Sequence, residues 1–496
     1  MSQTESVENY FIKEGYIPRV KPECLVNRKQ GIIYQPNVYS LAHNLAKKFD
    51  SNYIINIGCR KGDELASLYK HFNIIGIDSK DNLKIYQEKY PKGICLEHNL
   101  DSAEELSIPK DYLINSVIVC TGVIEELISP EYLLEKLKRL MDHAAICLIS
   151  TPERDLMRGA DDFGPPVDPS HIREWNLDEF EDLLNHFDFN LEFTGLTVNN
   201  NHQLKKETIL GIIGNNNICL ESPNDFKVTA IMTVFNEEDI IYHSIKRLLD
   251  QDIQVYIIDN WSTDSSFEII EKFKGSKNFL RVERFPHSQA SQTFDLTKLL
   301  QRIEELSMTL EADWFIHHDA DEIRMAPWNT NLKDGIFYVD RLGYNAIDHT
   351  VVNFQPTDNR FLKGDYEKHF RYFEFGKHQS SFRQVKAWKK TDQRVGLASS
   401  AGHSVKFNNR KVCPYKFINK HYPIRSQEQG ERKIFKHRKP RWNPQERKWG
   451  WHVHYDHIQP GHSFLKDKDN LNKYINDKDF RSRYLVELIS GVGIIR

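Results

Sequence analysis

Twice along this chain a short apolar run stops at a polar turn, passes into an amphipathic helical pattern and meets a second apolar run. The first instance is YIINIGCRKGDELASLYKHFNIIGID, residues 53–78; the second is KVTAIMTVFNEEDIIYHSIKRLLDQDIQVYIIDN, residues 227–260. Strand alternating with helix leaves the strands parallel and covered on both faces, so each series demands its own open α/β sheet. Between them GNNNICLESPNDF, 214–226, carries turn formers and no periodicity, which marks a linker. At 496 residues the chain exceeds one ordinary core. The expected organisation is a lead with a helix at 1–50, an α/β domain at 51–213, the linker at 214–226, and a second α/β domain at 227–496 that includes a basic C-terminal extension.

A composition of 40% hydrophobic and 28% charged residues is that of a soluble globular protein. The formal net charge of -3 gives no standing attraction to nucleic acid. Residues 403–450 hold fourteen Lys and Arg against three Glu, but without a recognisable binding fold no nucleic-acid partner is expected. The seven cysteines (24, 59, 95, 120, 147, 219, 413) form no CxxC pair, which suits a reducing cytoplasm better than a disulfide frame or a zinc site. MSQTESVENYFIKEGY has neither a basic flank nor an apolar core, so no secretory signal is expected there. No run approaches a membrane span, and peripheral association with a membrane stays open.

In the second series, ADWFIHHDADEIR (312–324) drives an apolar strand into Asp319, Asp321 and Glu322. A solvated loop is the plain explanation. A calcium loop lacks its twelve-residue pattern and central glycine. A site for one divalent cation beside a phosphate substrate uses one or two carboxylates, and alternate residues at a strand end point the same way. Two more acidic strand ends precede it: Asn236-Glu237-Glu238-Asp239, and Asp259 followed by Asp264 in YIIDNWSTDSS. Open α/β sheets bind ligands at such an edge.

With these turns in this order, residues 227–324 resemble a family 2 glycosyltransferase of the GT-A fold. The resemblance implies a nucleotide-sugar donor, a glycan or glycolipid acceptor, inversion at the transferred carbon, and Mn²⁺ or Mg²⁺. It implies that Asn236, Glu237, Asp259, Asp264 and Asp319 surround the nucleotide sugar, and that Asp319 and Asp321 reach the diphosphate through the metal, with His421 as a third ligand. Trp261 stands where the family turn has glycine. Inversion requires a general base, and the candidates are Asp365 or Glu367 in GDYEKHF and His403 in SAGHSVKF. The basic, aromatic stretch after 420 suits a diphosphate or an anionic acceptor.

In the first series a dinucleotide fingerprint starting at Gly58 would need glycine at 60 and 63, where the chain has Arg60 and Asp63. The spacing Gly58 to Gly62 instead resembles the loop of class I S-adenosylmethionine-dependent methyltransferases, over roughly residues 32–213. The resemblance implies a Rossmann-like fold, Gly58 and Gly62 at the cofactor, Asp78 on the ribose hydroxyls and Asp101 at the adenine amino group. Asn56 and Arg60 depart from that pattern, so an inert scaffold is the alternative to an active domain. In PSHIREW, His171 is the candidate base and Glu174 the second, against a reading in which Arg173 and Glu174 pair structurally and Trp175 is core. Arg154 and Arg158 either orient an anion or cap a loop.

The expectation is therefore an α/β protein of two domains, a methyltransferase fold followed by a GT-A fold. It would add and methylate sugars of a bacterial surface glycan, in the cytoplasm or at the inner face of the membrane. The rival from another class is a carbohydrate-binding protein on a degenerate GT-A fold.

Overall fold

The computed structural model describes residues 8–22, 32–202, 205–217, 221–328, 330–376 and 383–484; Cys24 and Cys219 lie outside them. The chain divides into two compact units, Met1–Ile218 with Lys478–Arg496, and Cys219–Asp477. Both are α/β.

The first unit is built on seven strands: β1 (Tyr53–Ile57), β2 (Asn73–Asp78), β3 (Ile94–Glu97), β4 (Val117–Thr121), β5 (Ile146–Pro152), β6 (Leu191–Thr197) and β7 (Thr208–Gly214). Their order is β3-β2-β1-β4-β5-β7-β6. The first five are parallel, and β7 runs antiparallel to both β5 and β6. Strands such as Ile146–Pro152 are near-continuous apolar runs because helices cover both of their faces. The helix Pro130–Leu140 starts on a proline, buries Leu133, Leu134, Leu137 and Leu140, and ends on Lys138 and Arg139. Each such leucine, fully buried, contributes about 1.5–3 kcal/mol. The helix Leu177–His186 opens on a capping box in which Asn176 and Glu179 satisfy each other's backbone N–H groups. Chain order reverses direction between β1 and β4, and the strand ends there leave a crevice.

The second unit carries a ten-stranded sheet. Its strands are β8 (Val228–Val234), β9 (Gln254–Asp259), β10 (Phe279–Arg284), β11 (Trp314–Asp319), β12 (Glu322–Met325), β13 (Ala346–Phe354), β14 (Tyr372–Phe375), β15 (Arg383–Lys389), β16 (Phe417–His421) and β17 (Asn472–Lys473). The order is β10-β9-β8-β11-β15-β13-β14-β17, with β16 joining β12 to β13. The strands β10, β9, β8 and β11 are parallel. Register aligns Val234 with Asp259 and Thr233 with Asp319, so both acids end their strands at one edge. In the β12–β16 pair Glu322 stands opposite His421, which brings a residue a hundred positions downstream beside the 319–322 turn. The helical pattern beginning at Glu237 forms a helix only from Ile241. The backbone N–H groups of Glu237 and Glu238 are instead held by Ser266 Oγ and Asp264. Among the described residues no helix is long and apolar enough to cross a membrane.

Candidate functional site

In the first unit β1 runs into a turn whose Gly58, Arg60 and Gly62 all have positive φ, at 71°, 46° and 66°. A Cβ on Gly58 would stand 2.2 Å from Val123 Cγ2, and one on Gly62 within 2.8–2.9 Å of the Tyr90 and Tyr86 rings. Asp78, the last residue of β2, accepts the backbone N–H of Arg60 at 2.8 Å and of Ser79 at 2.7 Å, and the Asn82 amide at 2.7 Å. Beside this turn opens a cavity of about 470 Å³ lined by Gly58, Arg60, Asp78, Asp101, Val123 and Glu126 among others. Gly62 shapes the turn and packs on tyrosines. Asp101 holds the backbone N–H groups of Ile128 (3.0 Å) and Ser129 (2.8 Å), which leaves a carboxylate lone-pair sites to spare. A turn that admits no Cβ at Gly58 or Gly62, followed by a carboxylate at the next strand end, fits an adenosyl cofactor.

His171 is not on the wall of this cavity; its chain neighbour Ser170 meets that wall at Glu126. Glu126, on its wall, ion-pairs with Arg60 and accepts from Ser170 Oγ at 3.3 Å. His171 Nδ1 bonds Glu174 at 2.6 Å, and Nε2 stands 3.8 Å from Asp168 and 4.0 Å from Glu125. Burial disfavours the imidazolium, but the Glu174 hydrogen bond and the charges of Glu125 and Asp168 outweigh it and raise the His171 pKa. Arg158, rather than Arg173, pairs with Glu174 at 2.9 Å. Arg173 instead donates to the carbonyls of Leu127 and Ile128, and Trp175 is fully buried. Arg154 is also buried and grips Glu179 through two bonds, at 2.8 and 2.9 Å, so it braces the helix behind the site.

The second unit has a cavity of about 570 Å³ at the ends of β8 and β11. Glu237, Asp319, Asp321, Asn353, His403 and His421 all line it. His421 Nδ1 donates to Asn353 Oδ1 at 2.8 Å, which orients the ring with Nε2 toward Asp321. That Nε2 lies 3.7 Å from Asp321 Oδ1. Among the described residues no three His, Cys, Asp or Glu side chains form a ready cage for a metal ion. Asp321 and His421 fit the open arrangement in which substrate phosphates and waters complete the shell, with Asn353 fixing the histidine tautomer from behind.

Two lysines complete the picture, and neither was singled out by the sequence reading. Lys386 donates to Asp319 at 2.6 Å, and Lys433 bridges Asp321 (2.9 Å) and Glu237 (3.0 Å). Burial pushes both aspartates up, but the ammonium groups win. Lys386 and His317 hold Asp319 well below the usual carboxylate range, and Lys433, His421 and Arg425 hold Asp321 at about 2. Arg425, fully buried, pairs with Glu237 and with Asp239. Lys433, His437, Arg438, Arg441 and Trp442 form one cationic and aromatic wall. The only signal for that wall in the sequence was the local excess of Lys and Arg.

The remaining candidates sit apart. Asp259 is fully buried and accepts the Ser262 N–H at 3.1 Å, shaping the turn after β9. Asn236, at φ 56°, accepts the Thr263 N–H at 2.7 Å, and Asp264 accepts the Ser266 N–H at 2.9 Å, so the two turns interlock. Asp365 precedes a short helix and pairs with Lys368 at 3.2 Å. Glu367 pairs with Arg247 (2.6 Å) and Lys420 (3.2 Å). None of these five lies on the described cavity wall; His403 does.

Residues 35–192 match the family described as "Methyltransferase domain", and residues 229–293 the family "Glycosyl transferase family 2". A "Probable S-adenosylmethionine-dependent methyltransferase" of Mycobacterium tuberculosis (strain H37Rv) is 26% identical over 175 residues, 34% of this chain and 58% of that protein. One from Mycolicibacterium smegmatis is 28% identical over 185 residues, 36% of this chain and 65% of that protein. The chain thus spans less than two thirds of the length of these relatives. Among solved structures, the methyltransferase domain of bacterial CtHen1 is 16% identical with a TM-score of 0.28, covering 36% of this chain and 97% of that one. A SAM-dependent methyltransferase from Aquifex aeolicus is 16% identical with a TM-score of 0.26, covering 36% and 93%. The methyltransferase match falls within the first unit and the family 2 glycosyltransferase match within the second.

Proposed function

We propose that the second unit transfers a sugar from a nucleoside-diphosphate donor with inversion, and that the first unit methylates a hydroxyl from S-adenosylmethionine. The observation that carries this reading is the convergence of Asp319, Asp321 and His421 on one cavity faced by Lys433, Arg438 and Arg441. Cations on that wall meet the charge that develops on a departing diphosphate. A Mn²⁺ or Mg²⁺ ion held by Asp319, Asp321 and His421 would add Lewis-acid stabilisation of the same charge. Asn236, Glu237, Asp259 and Asp264 act by shaping the two turns that receive the nucleotide. His403 is the base: surrounding protein and Lys386 lower its pKa, so it is neutral at pH 7 and takes the acceptor hydroxyl proton as the new bond forms. Trp442, stacked on His452 at an interplanar angle of 6°, offers the acceptor sugar a flat face.

In the first unit the Gly58 turn and Asp78 hold the adenosyl group, with Asp101 at the far end of its cavity. His171 takes the proton of the acceptor hydroxyl, oriented by Glu174. The cofactor supplies the methyl sulfonium. The proposed domains are 51–213 and 227–477, the expected bound of 496 giving way because Lys478–Arg496 group with the first unit. Also proposed is the setting: a bacterial surface glycan or glycolipid, built in the cytoplasm or at the inner membrane face. Ile17, Val20, Phe163 and Val167 are exposed on neighbouring segments of the first unit, which supports peripheral attachment to a membrane. Fusion of the two domains supports sequential addition and methylation on one glycan, an inference from co-occurrence. A mass-spectrometric screen of nucleotide sugars with isotope-labelled methyl donor tests both halves. Retained transfer in Asp321→Ala would count against the glycosyltransferase site, and unchanged methyl incorporation in Asp78→Ala against the methyltransferase site.

A further inference from the structure

Arg60 breaks the glycine pattern of the first turn. It adopts φ 46°, a conformation side-chain-bearing residues rarely take. Its backbone N–H is fixed by Asp78, and its guanidinium is held through Nη2 by Glu126. The side chain is 24% exposed and forms part of the wall of the 470 Å³ cavity. One residue therefore joins the carboxylate at the β2 end to the cavity through its backbone and presents a fixed cation there through its side chain.

The rest of that wall is rich in acids: Glu64, Asp78, Glu97, Asp101 and Glu126. S-adenosylmethionine carries a sulfonium, an ammonium and one carboxylate. With Asp78 and Asp101 at the adenosyl part and Glu126 on Arg60, Glu64 and Glu97 suit the two positive groups, and a cation suits the carboxylate. Lys61 and Lys80 also line the cavity, but both are exposed on flexible stems. A guanidinium offers five N–H donors in a planar fork that matches carboxylates, and it can serve Glu126 and a second carboxylate together.

We propose that Arg60 is the residue that binds the carboxylate of the methyl donor, making the departure at position 60 a specificity element for the amino-acid end of the cofactor. This rests on the methyl-donor reading above.

The test is calorimetric binding to the full-length chain of S-adenosylmethionine and of decarboxylated S-adenosylmethionine, which differ only in that carboxylate. Wild type is expected to prefer the carboxylate-bearing form by roughly tenfold to a hundredfold, the worth of a charge-assisted hydrogen bond. Arg60→Gln should erase the preference by weakening only the carboxylate-bearing form, and Arg60→Lys should keep part of it. Thermal melting confirms that the variants fold. Equal weakening of both ligands in Arg60→Gln, tighter binding of S-adenosylmethionine in Arg60→Gly, or a preference lost instead in Lys61→Met would each overturn the proposal. Binding of both ligands without preference in wild type defeats the Arg60 role alone. Binding of neither defeats the cofactor reading as well.

Discussion

Asp321 and His421 face each other across 3.7 Å although a hundred residues separate them. A carboxylate and an imidazole at this spacing are the donor types that take a divalent cation between them. His421→Ala should therefore weaken Mn²⁺-dependent nucleotide binding by about 10–100-fold, and Asn353→Leu, which frees the tautomer, by a smaller factor in the same range. Titration of nucleoside diphosphate with and without Mn²⁺ checks both.

Lys433 is a buried ammonium between Asp321 and Glu237, and Arg425 a buried guanidinium between Glu237 and Asp239. Arg425→Met leaves Asp239 without its partner and Glu237 with Lys433 alone, and should destabilise the second unit by roughly 3–5 kcal/mol. Denaturant unfolding measures it.

Gly58→Ala places a methyl group against Val123 Cγ2 at a φ that favours glycine. A loss of about 1–3 kcal/mol from overpacking is expected, in addition to backbone strain. Pairing it with Val123→Ala should recover the packing part and leave the strain.

His317 and His318, buried beneath the site, have their pKa values lowered to about 4, first by burial and then by Lys386 for the one and Arg324 for the other. The unfolded chain takes up protons near pH 6.5 that the fold refuses, so this contribution is complete above about 6.5 and lost as pH falls toward 4. His318→Gln should flatten the stability–pH curve in that window. His171 acts in the opposite sense. Its raised pKa means its ion pairs stabilise fully below about 6.5 and fade as pH rises through the folded value. Methyl transfer, which needs the neutral base, should show an acid limb displaced above the ordinary histidine value.

The two α/β sheets were legible because strand, turn and helix patterns restart after residue 226, and near-continuous apolar runs admit few alternatives. The acids at 319 and 321 were legible from their place at the end of one of those runs. Sequence spacing does not reveal that His421 stands beside them, since the β12–β16 register does that work. Nor does it separate Asp259, which folds back on its own turn, from Asp319, which meets the cavity, because both end a strand with the same residue type. Asp365 and Glu367 looked like free carboxylates; each is engaged by a lysine or arginine brought from elsewhere in the fold or one turn away.

The most direct measurement is the affinity of UDP, GDP and dTDP for the wild-type chain and Asp321→Ala, each with Mn²⁺ at fixed concentration. The account predicts that one of these binds wild type and weakens by about a hundredfold or more in the variant, the scale of a lost charge-assisted contact together with a weakened metal. Equal affinity in both proteins, or binding of none of the three to wild type, would contradict it.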